Sequence, residues 1–180
     1  MSPTSDQGEI GFDRAVDRIN DISLPILDGW EIDSKNERSR YGISITSSPH
    51  PCPGDLEKEC VRGVASTERI KSRSEIDLAD IAKLDVRKNV LTAYDADHYD
   101  GTFTGLLVQD GPVKIAGKAG YSARWFVSNG RGDGGLVQST VMPPNKSGQD
   151  YIILRIVIDS PSRSSSADEI DEITSGLKYS

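Results

Sequence analysis

Apolar and polar positions alternate along much of this chain, most densely at Tyr151–Asp159, which reads Tyr-Ile-Ile-Leu-Arg-Ile-Val-Ile-Asp. Successive strand side chains point to opposite faces. Ile152, Leu154, Ile156 and Ile158 therefore share a wholly aliphatic face, and Tyr151, Ile153, Arg155, Val157 and Asp159 share a mixed one. β-Branched residues dominate and turn residues bound the segment, which predicts an interior strand with helices on its aliphatic face. It is too short to span a membrane, which takes about 20 apolar residues.

The same period predicts further strands. Trp30 and Ile32 begin one after a turn at Asp28-Gly29. Tyr41, Ile43 and Ile45 share a face of a half-buried strand over 41–46. Val61, Gly63 and Ala65 suggest another over 60–66, after a proline-rich loop over 47–58. Strands over 102–108 and 113–116 flank a turn at Asp110-Gly111-Pro112, and strands over 120–128 and 136–142 flank a glycine-rich tip.

Three stretches follow the helical period instead. Phe12, Val16 and Ile19 predict a short helix ending near Asn20. Ile76, Ala79, Ala82 and Val86 predict a helix from about Glu75 to Thr92, with Ser74 as cap and Asp77 in the capping-box position. Ser166 and Glu169 form a cleaner capping box ahead of Ile170, Ile173 and Leu177, with Lys178 at the negative end. Together these predict an α+β fold, a central antiparallel sheet flanked by helices. A polar tail over 1–9 precedes a single domain over 10–180.

Charge narrows the partners. The formal net charge is -7 and the pI about 4.9, against nucleic acid and anionic membranes, both of which need a basic face. The basic residues Lys114, Lys118 and Arg124 read as a solvated strand face. The first residues lack the basic and apolar regions of a signal peptide, so either the protein is cytoplasmic or an export segment was removed. Cys52 and Cys60 bear on that choice. A lone close pair in a Pro/Gly-bounded loop favours a disulfide and an oxidising compartment, extracellular or at the cell envelope.

Catalytic patterns are thin. No Gly-x-Ser-x-Gly elbow occurs, and only His50 and His98 could act as a base. Asp95, Asp97 and Asp100, with His98 among them, resemble the start of a calcium loop, but Leu106 stands where the closing glutamate belongs. An acidic turn is the simpler reading, with a metal-dependent or hydrolytic enzyme as the alternative. Gly117-Lys118-Ala119-Gly120 lacks the phosphate-loop order, and Arg131-Gly132-Asp133 is a turn. Tyr121, Trp125 and Tyr151 on adjacent strands, beside Arg124 or Arg155, would make an aromatic pocket with a charged handle for a small molecule. An arginine inside an apolar strand needs solvent, a carboxylate or a ligand, and a carboxylate is the default for Arg155. No cofactor is expected.

Several of these segments carry a resemblance. Leu-Pro-Ile-Leu-Asp-Gly-Trp at 24–30 resembles the opening of small exported actinobacterial proteins and lipoproteins. Gly117-Lys-Ala-Gly-Tyr-Ser-Ala-Arg-Trp, Leu136-Val-Gln-Ser, Tyr151–Asp159 and Asp171-Glu-Ile-Thr-Ser-Gly-Leu resemble its second half. The chain over 24–178 is similar to the PsbP-like group, which includes LpqN-type lipoproteins. The resemblance implies an antiparallel sheet sandwiched between helices, and an accessory function without a shared catalytic residue. The chain departs from lipoproteins of this kind in showing no lipobox, which leaves room for a lipid anchor upstream. The combined expectation is a non-catalytic exported accessory or binding domain with a protein or small-molecule partner.

Overall fold

The computed structural model describes residues 13–33, 41–47, 49–52, 55–71, 77–94, 103–129, 134–159 and 163–180. The tail over 1–9, the 95–100 turn with Asp95, Asp97, His98 and Asp100, and the 131–133 tripeptide lie outside them. Seven strands form one antiparallel sheet: β3 (Trp30–Ile32), β4 (Ser44–Ser47), β7 (Gly63–Ile70), β11 (Tyr151–Asp159), β10 (Gly135–Met142), β9 (Lys118–Asn129) and β8 (Phe103–Ile115), in that spatial order. A three-stranded sheet has the order β1 (Arg14–Asp17), β2 (Ile22–Pro25), β12 (Lys178–Tyr179), and β5 (Pro49–Cys52) pairs with β6 (Asp55–Val61). The helices are α1 (Leu78–Ala93) and α2 (Arg163–Gly176).

The Ile-rich segment takes the middle of the large sheet, as β11 between β7 and β10. Its aliphatic face, Ile152, Leu154, Ile156 and Ile158, packs with Ile170, Ile173 and Leu177 at the end of the chain and with Ile22 and Leu24 of β2. Its mixed face contributes Ile153 to a second core with Ala82, Val86 and Val90 of α1 and Val137 and Val141 of β10. Each fully buried aliphatic side chain stabilises by about 1.5–3 kcal/mol, so period-2 patterning fixes which layer lies on which face. The result is sheet-dominated α+β. One face carries α1, and the other carries α2 together with the small sheet, so each face has a helix but the molecule is sheet-dominated and not a clear helix–sheet–helix sandwich.

Several local expectations are corrected. Residues 14–17 form a strand instead of a helix, because Ala15 and Asp17 face inward while β1 pairs with β2 from Arg14↔Pro25 to Asp17↔Ile22. The proline-rich stretch is a hairpin, β5–β6, closed by the Cys52–Cys60 disulfide with a Cα–Cα distance of 4.9 Å. α1 is capped by Asp77, whose Oδ1 accepts from the Ala79 amide at 2.9 Å, and Ser74 lies outside the described residues. α2 begins upstream of Ser166, which is buried within it, and Lys178 belongs to β12.

The turn expected at 110–112 is absent, since β8 runs unbroken through it with a bulge between Leu107 and Gln109. Proline is tolerated there because β8 is an edge strand. The chain reverses instead at Ala116-Gly117, both with positive φ (46° and 84°), as a two-residue hairpin turn requires.

Candidate binding cleft

Buried ions are costly unless paired, and the layers here are joined by such pairs. Arg155 of β11 lies under α1. Its Nε donates to both Asp85 carboxylate oxygens at 3.0 and 2.9 Å, and its Nη2 to Asp85 Oδ1 at 2.6 Å. Its Nη1 donates to Glu68 of β7, and Asp85 Oδ2 accepts from Ser139 Oγ at 2.6 Å. Burial pulls the guanidinium pKa down, but the hydrogen bonds to Asp85 and Glu68 outweigh it and hold the value above that of an ordinary arginine.

On the opposite face Arg124 donates from Nε to Gln138 at 2.8 Å and from Nη2 to Asp171 of α2 at 2.5 Å. Glu169 of α2 accepts a bidentate pair from Arg62 at 2.9 and 2.6 Å, and Trp30 Nε1–H at 3.0 Å. Burial raises the Glu169 pKa, but these partners outweigh it and hold the carboxyl below its ordinary value. Each group ties one layer to another.

The aromatic–arginine set is not one pocket. Tyr121 and Trp125 of β9 and Tyr151 and Arg155 of β11 are on the α1 face, whereas Arg124 points to the α2 face. Nor are the aromatics on adjacent strands, since β10 separates β9 from β11. Tyr121 donates to Asp110 at 2.7 Å, and Lys83 stands 3.1 Å from the same carboxylate. Lys118 donates to the carbonyls of Pro144 and Asn145 at 2.6 and 2.7 Å. His50 lies in β5, in register with Cys60. Among the described residues no group of three or more His, Cys, Asp or Glu side chains is placed to hold a metal ion.

The open geometry lies elsewhere, around the start of β4. A cleft of about 440 Å³ runs between β1 and its turn on one side and the ends of β3 and β4 on the other. Val16, Ile19 and Ile32 line it while 51%, 40% and 39% exposed, so its apolar wall faces solvent. Arg14 and Arg18 flank that wall. Asp17, also on the lining, is buried and spends its oxygens inside the protein. It accepts from the Ile19 and Asn20 amides at 3.0 and 3.1 Å, Asn20 Nδ2 at 2.6 Å and Thr67 Oγ1 at 2.5 Å. That knot pins the β1 turn to β7 and sets the cleft's shape.

Reading 12–20 as a helix hid this cleft. The signal that could have revealed it is the inward small or polar pair Ala15 and Asp17, alternating with Arg14 and Val16.

A second cavity of about 240 Å³ lies across β4 and is lined by Tyr41, Ser44, Ser66, Glu68 and Arg155. Ser44, Ser66 and Arg155 are register partners across β4, β7 and β11 and so share one face. The buried Ser44 hydroxyl has no hydrogen-bond partner.

No family model and no curated protein matches this sequence. Solved structures do. A solution structure of cyanobacterial PsbP (CyanoP) from Synechocystis aligns over 100% of this chain and 99% of its own, with TM-score 0.57 and 15% identity. LpqN, described as involved in cell envelope biogenesis of Mycobacterium tuberculosis, aligns over 96% and 86% with TM-score 0.51 and 14% identity. The Saccharomyces cerevisiae Ran-binding protein Mog1p aligns over 94% and 96% with TM-score 0.55 and 11% identity. At these identities the likeness is one of fold, and the chain has a PsbP-like fold.

Proposed function

We propose that this is a non-catalytic exported domain, an accessory or binding module of the cell envelope, that engages a partner through the cleft beside β1. The observation that carries this reading is the contrast between interlayer arginines closed by carboxylates and an open cleft. Arg155, Arg124 and Arg62 are closed by carboxylates from other layers, while Val16, Ile19 and Ile32 stay out around about 440 Å³ of open space. Groups already spent on structure are poor acids, bases or nucleophiles, whereas exposed aliphatic residues gathered at one concavity suit binding. The Cys52–Cys60 bond supports export, because such bonds persist in oxidising compartments. LpqN's description as involved in cell envelope biogenesis is consistent with it.

The test is to recover the protein from its native cells, trap thiols at lysis and fractionate. The reading expects an extracytoplasmic protein with both cysteines bonded. Free thiols in a cytoplasmic fraction contradict it.

A small-molecule reading is favoured by one observation, the unpartnered Ser44 hydroxyl at the 240 Å³ cavity. It keeps Arg155 from the expected aromatic–arginine set and replaces the rest with Tyr41, Ser66 and Glu68. Ser44→Ala removes the hydroxyl and adds no bulk. A ligand site there loses affinity for a polar probe such as glucose with no fall in Tm, and glucose that leaves the Ser44 and Ser66 amide signals unmoved rules the site out.

A further inference from the structure

The cleft beside β1 is lined by Arg14 and Arg18 next to its apolar residues. The chain has a net charge of -7, and its interlayer arginines each meet a carboxylate. Arg14, Arg18 and Arg69 do not, among the described residues. Arg14 donates from Nε to Ser23 Oγ at 2.9 Å and from Nη2 to the Ser23 and Gly176 carbonyls at 2.8 and 2.7 Å. Those bonds hold the side chain in place and leave its other terminal nitrogen without an acceptor. Arg69 is held in the same way, by Asn20 Oδ1 at 3.2 Å and by the Ile19 carbonyl. Arg18 is exposed and makes no hydrogen bond or ion pair with any described residue. Two of these cations, Arg14 and Arg69, are thus positioned by neutral carbonyls, an amide and a hydroxyl that cancel none of their charge, and the third, Arg18, is exposed beside them. Of the two carboxylates on the lining, Asp17 is buried and already saturated, and Asp33, beside β3, carries an interaction of its own.

The backbone adds a second constraint. β1 and β3 are each the terminal strand of their sheet, and the cleft runs between them. Terminal strands carry unpaired N–H and C=O groups, which an extended chain can satisfy.

The geometry points to this cleft as the docking site for an extended acidic segment of a partner protein. That segment sets aliphatic side chains against Val16, Ile19 and Ile32 and carboxylates against Arg14 and Arg18. Alternating acidic and aliphatic residues satisfy both walls, because successive side chains of an extended chain point opposite ways. The arginines supply orientation and specificity, since their fork matches a carboxylate in two places. This inference rests on the reading of the protein as a binding domain and names the chemistry of its partner.

The probe is a capped peptide of alternating glutamate and valine, titrated into the full chain with amide signals followed by NMR. Saturable shifts are expected at Val16, Ile19, Ile32 and Ile43, and the same peptide with lysine for glutamate should give none. Arg18 is exposed and bonded to nothing described, so R18E should fold normally and weaken binding about tenfold, with R18K keeping most of it.

Unchanged affinity in R18E, equal binding of the lysine peptide, or shifts scattered away from the cleft would each overturn the inference. So would octanoate producing the same shifts as the peptide, since the site would then take a small amphiphile. None of these outcomes alters the cellular location or the disulfide, and free thiols in the cytoplasm would sink the export reading without changing this titration.

Discussion

Arg155 illustrates how a single residue is read. An arginine among isoleucines needs solvent, a carboxylate or a ligand, and Arg155 found two carboxylates, Asp85 of α1 and Glu68 of β7. That need was legible in the sequence. The partners were not, because they lie 70 and 87 positions away and are brought in by the fold. Arg124 teaches the opposite lesson. Its even position already set it on the other face from Tyr121 and Trp125, so strand parity alone could have split the expected pocket.

A prediction belongs at this scale. Replacing Arg155 with leucine strands the Asp85 carboxylate beneath α1 and should cost about 3–5 kcal/mol of unfolding free energy by denaturant titration. Arg155→Leu combined with Asp85→Leu should cost less than the sum of the two single changes. Strict additivity would mean that the pair does not hold the helix to the sheet.

Element-scale reading worked where the pattern was long. The nine residues of β11 declared their period, and β9 and β10 followed. It failed at four-residue β1, where a few apolar residues fit both the helical and the strand period, and at β8, where Asp110-Gly111-Pro112 imitates a turn within an edge strand. Gly63 is one position at which an element depends on having no side chain. A Cβ there would lie 2.6 Å from the Trp30 ring, so Gly63→Ala should destabilise where β7 meets the tryptophan.

Glu169 gives the element-scale pH prediction. Its folded pKa is depressed below that of an ordinary glutamate, so its contribution is present above the ordinary value and is lost as pH falls through the folded pKa. Glu169→Gln should therefore melt below the parent near neutral pH, with the gap closing in acid. A gap independent of pH would show that the Arg62–Glu169–Trp30 cluster adds no linkage. The disulfide closes a small loop and should add about 2–3 kcal/mol, so Cys52→Ser with Cys60→Ser should lower Tm without unfolding the sheet.

At the scale of the whole molecule, the layers explain where the sheet is left open. β11 spreads two cores to either side, and shrinking either should be severe. Ile156→Ala should cost about 2–5 kcal/mol, whereas Leu84→Ala on the solvent side of α1 should stay within about 0.5 kcal/mol. α1 lies over β9 and β10 and α2 over β10 and β11, while the start of β4 has clefts on either side of it. Among the described residues no helix is long and apolar enough to cross a membrane.

The large sheet and its helical layers were legible because buried aliphatic periods are long and redundant. The cleft was not, because it forms where β1, β3 and β4 meet, strands far too short to announce themselves.

The claim that the interior is structural and the β1 cleft is where a partner binds is tested most directly by a photo-crosslinking scan in native cells. A crosslinking residue is placed in turn at Val16, Ile19, Ile32, Leu84 and Leu106. Adducts to one partner should form from Val16, Ile19 and Ile32 and not from Leu84 or Leu106. Adducts from Leu84 or Leu106 with none from the cleft would contradict the account.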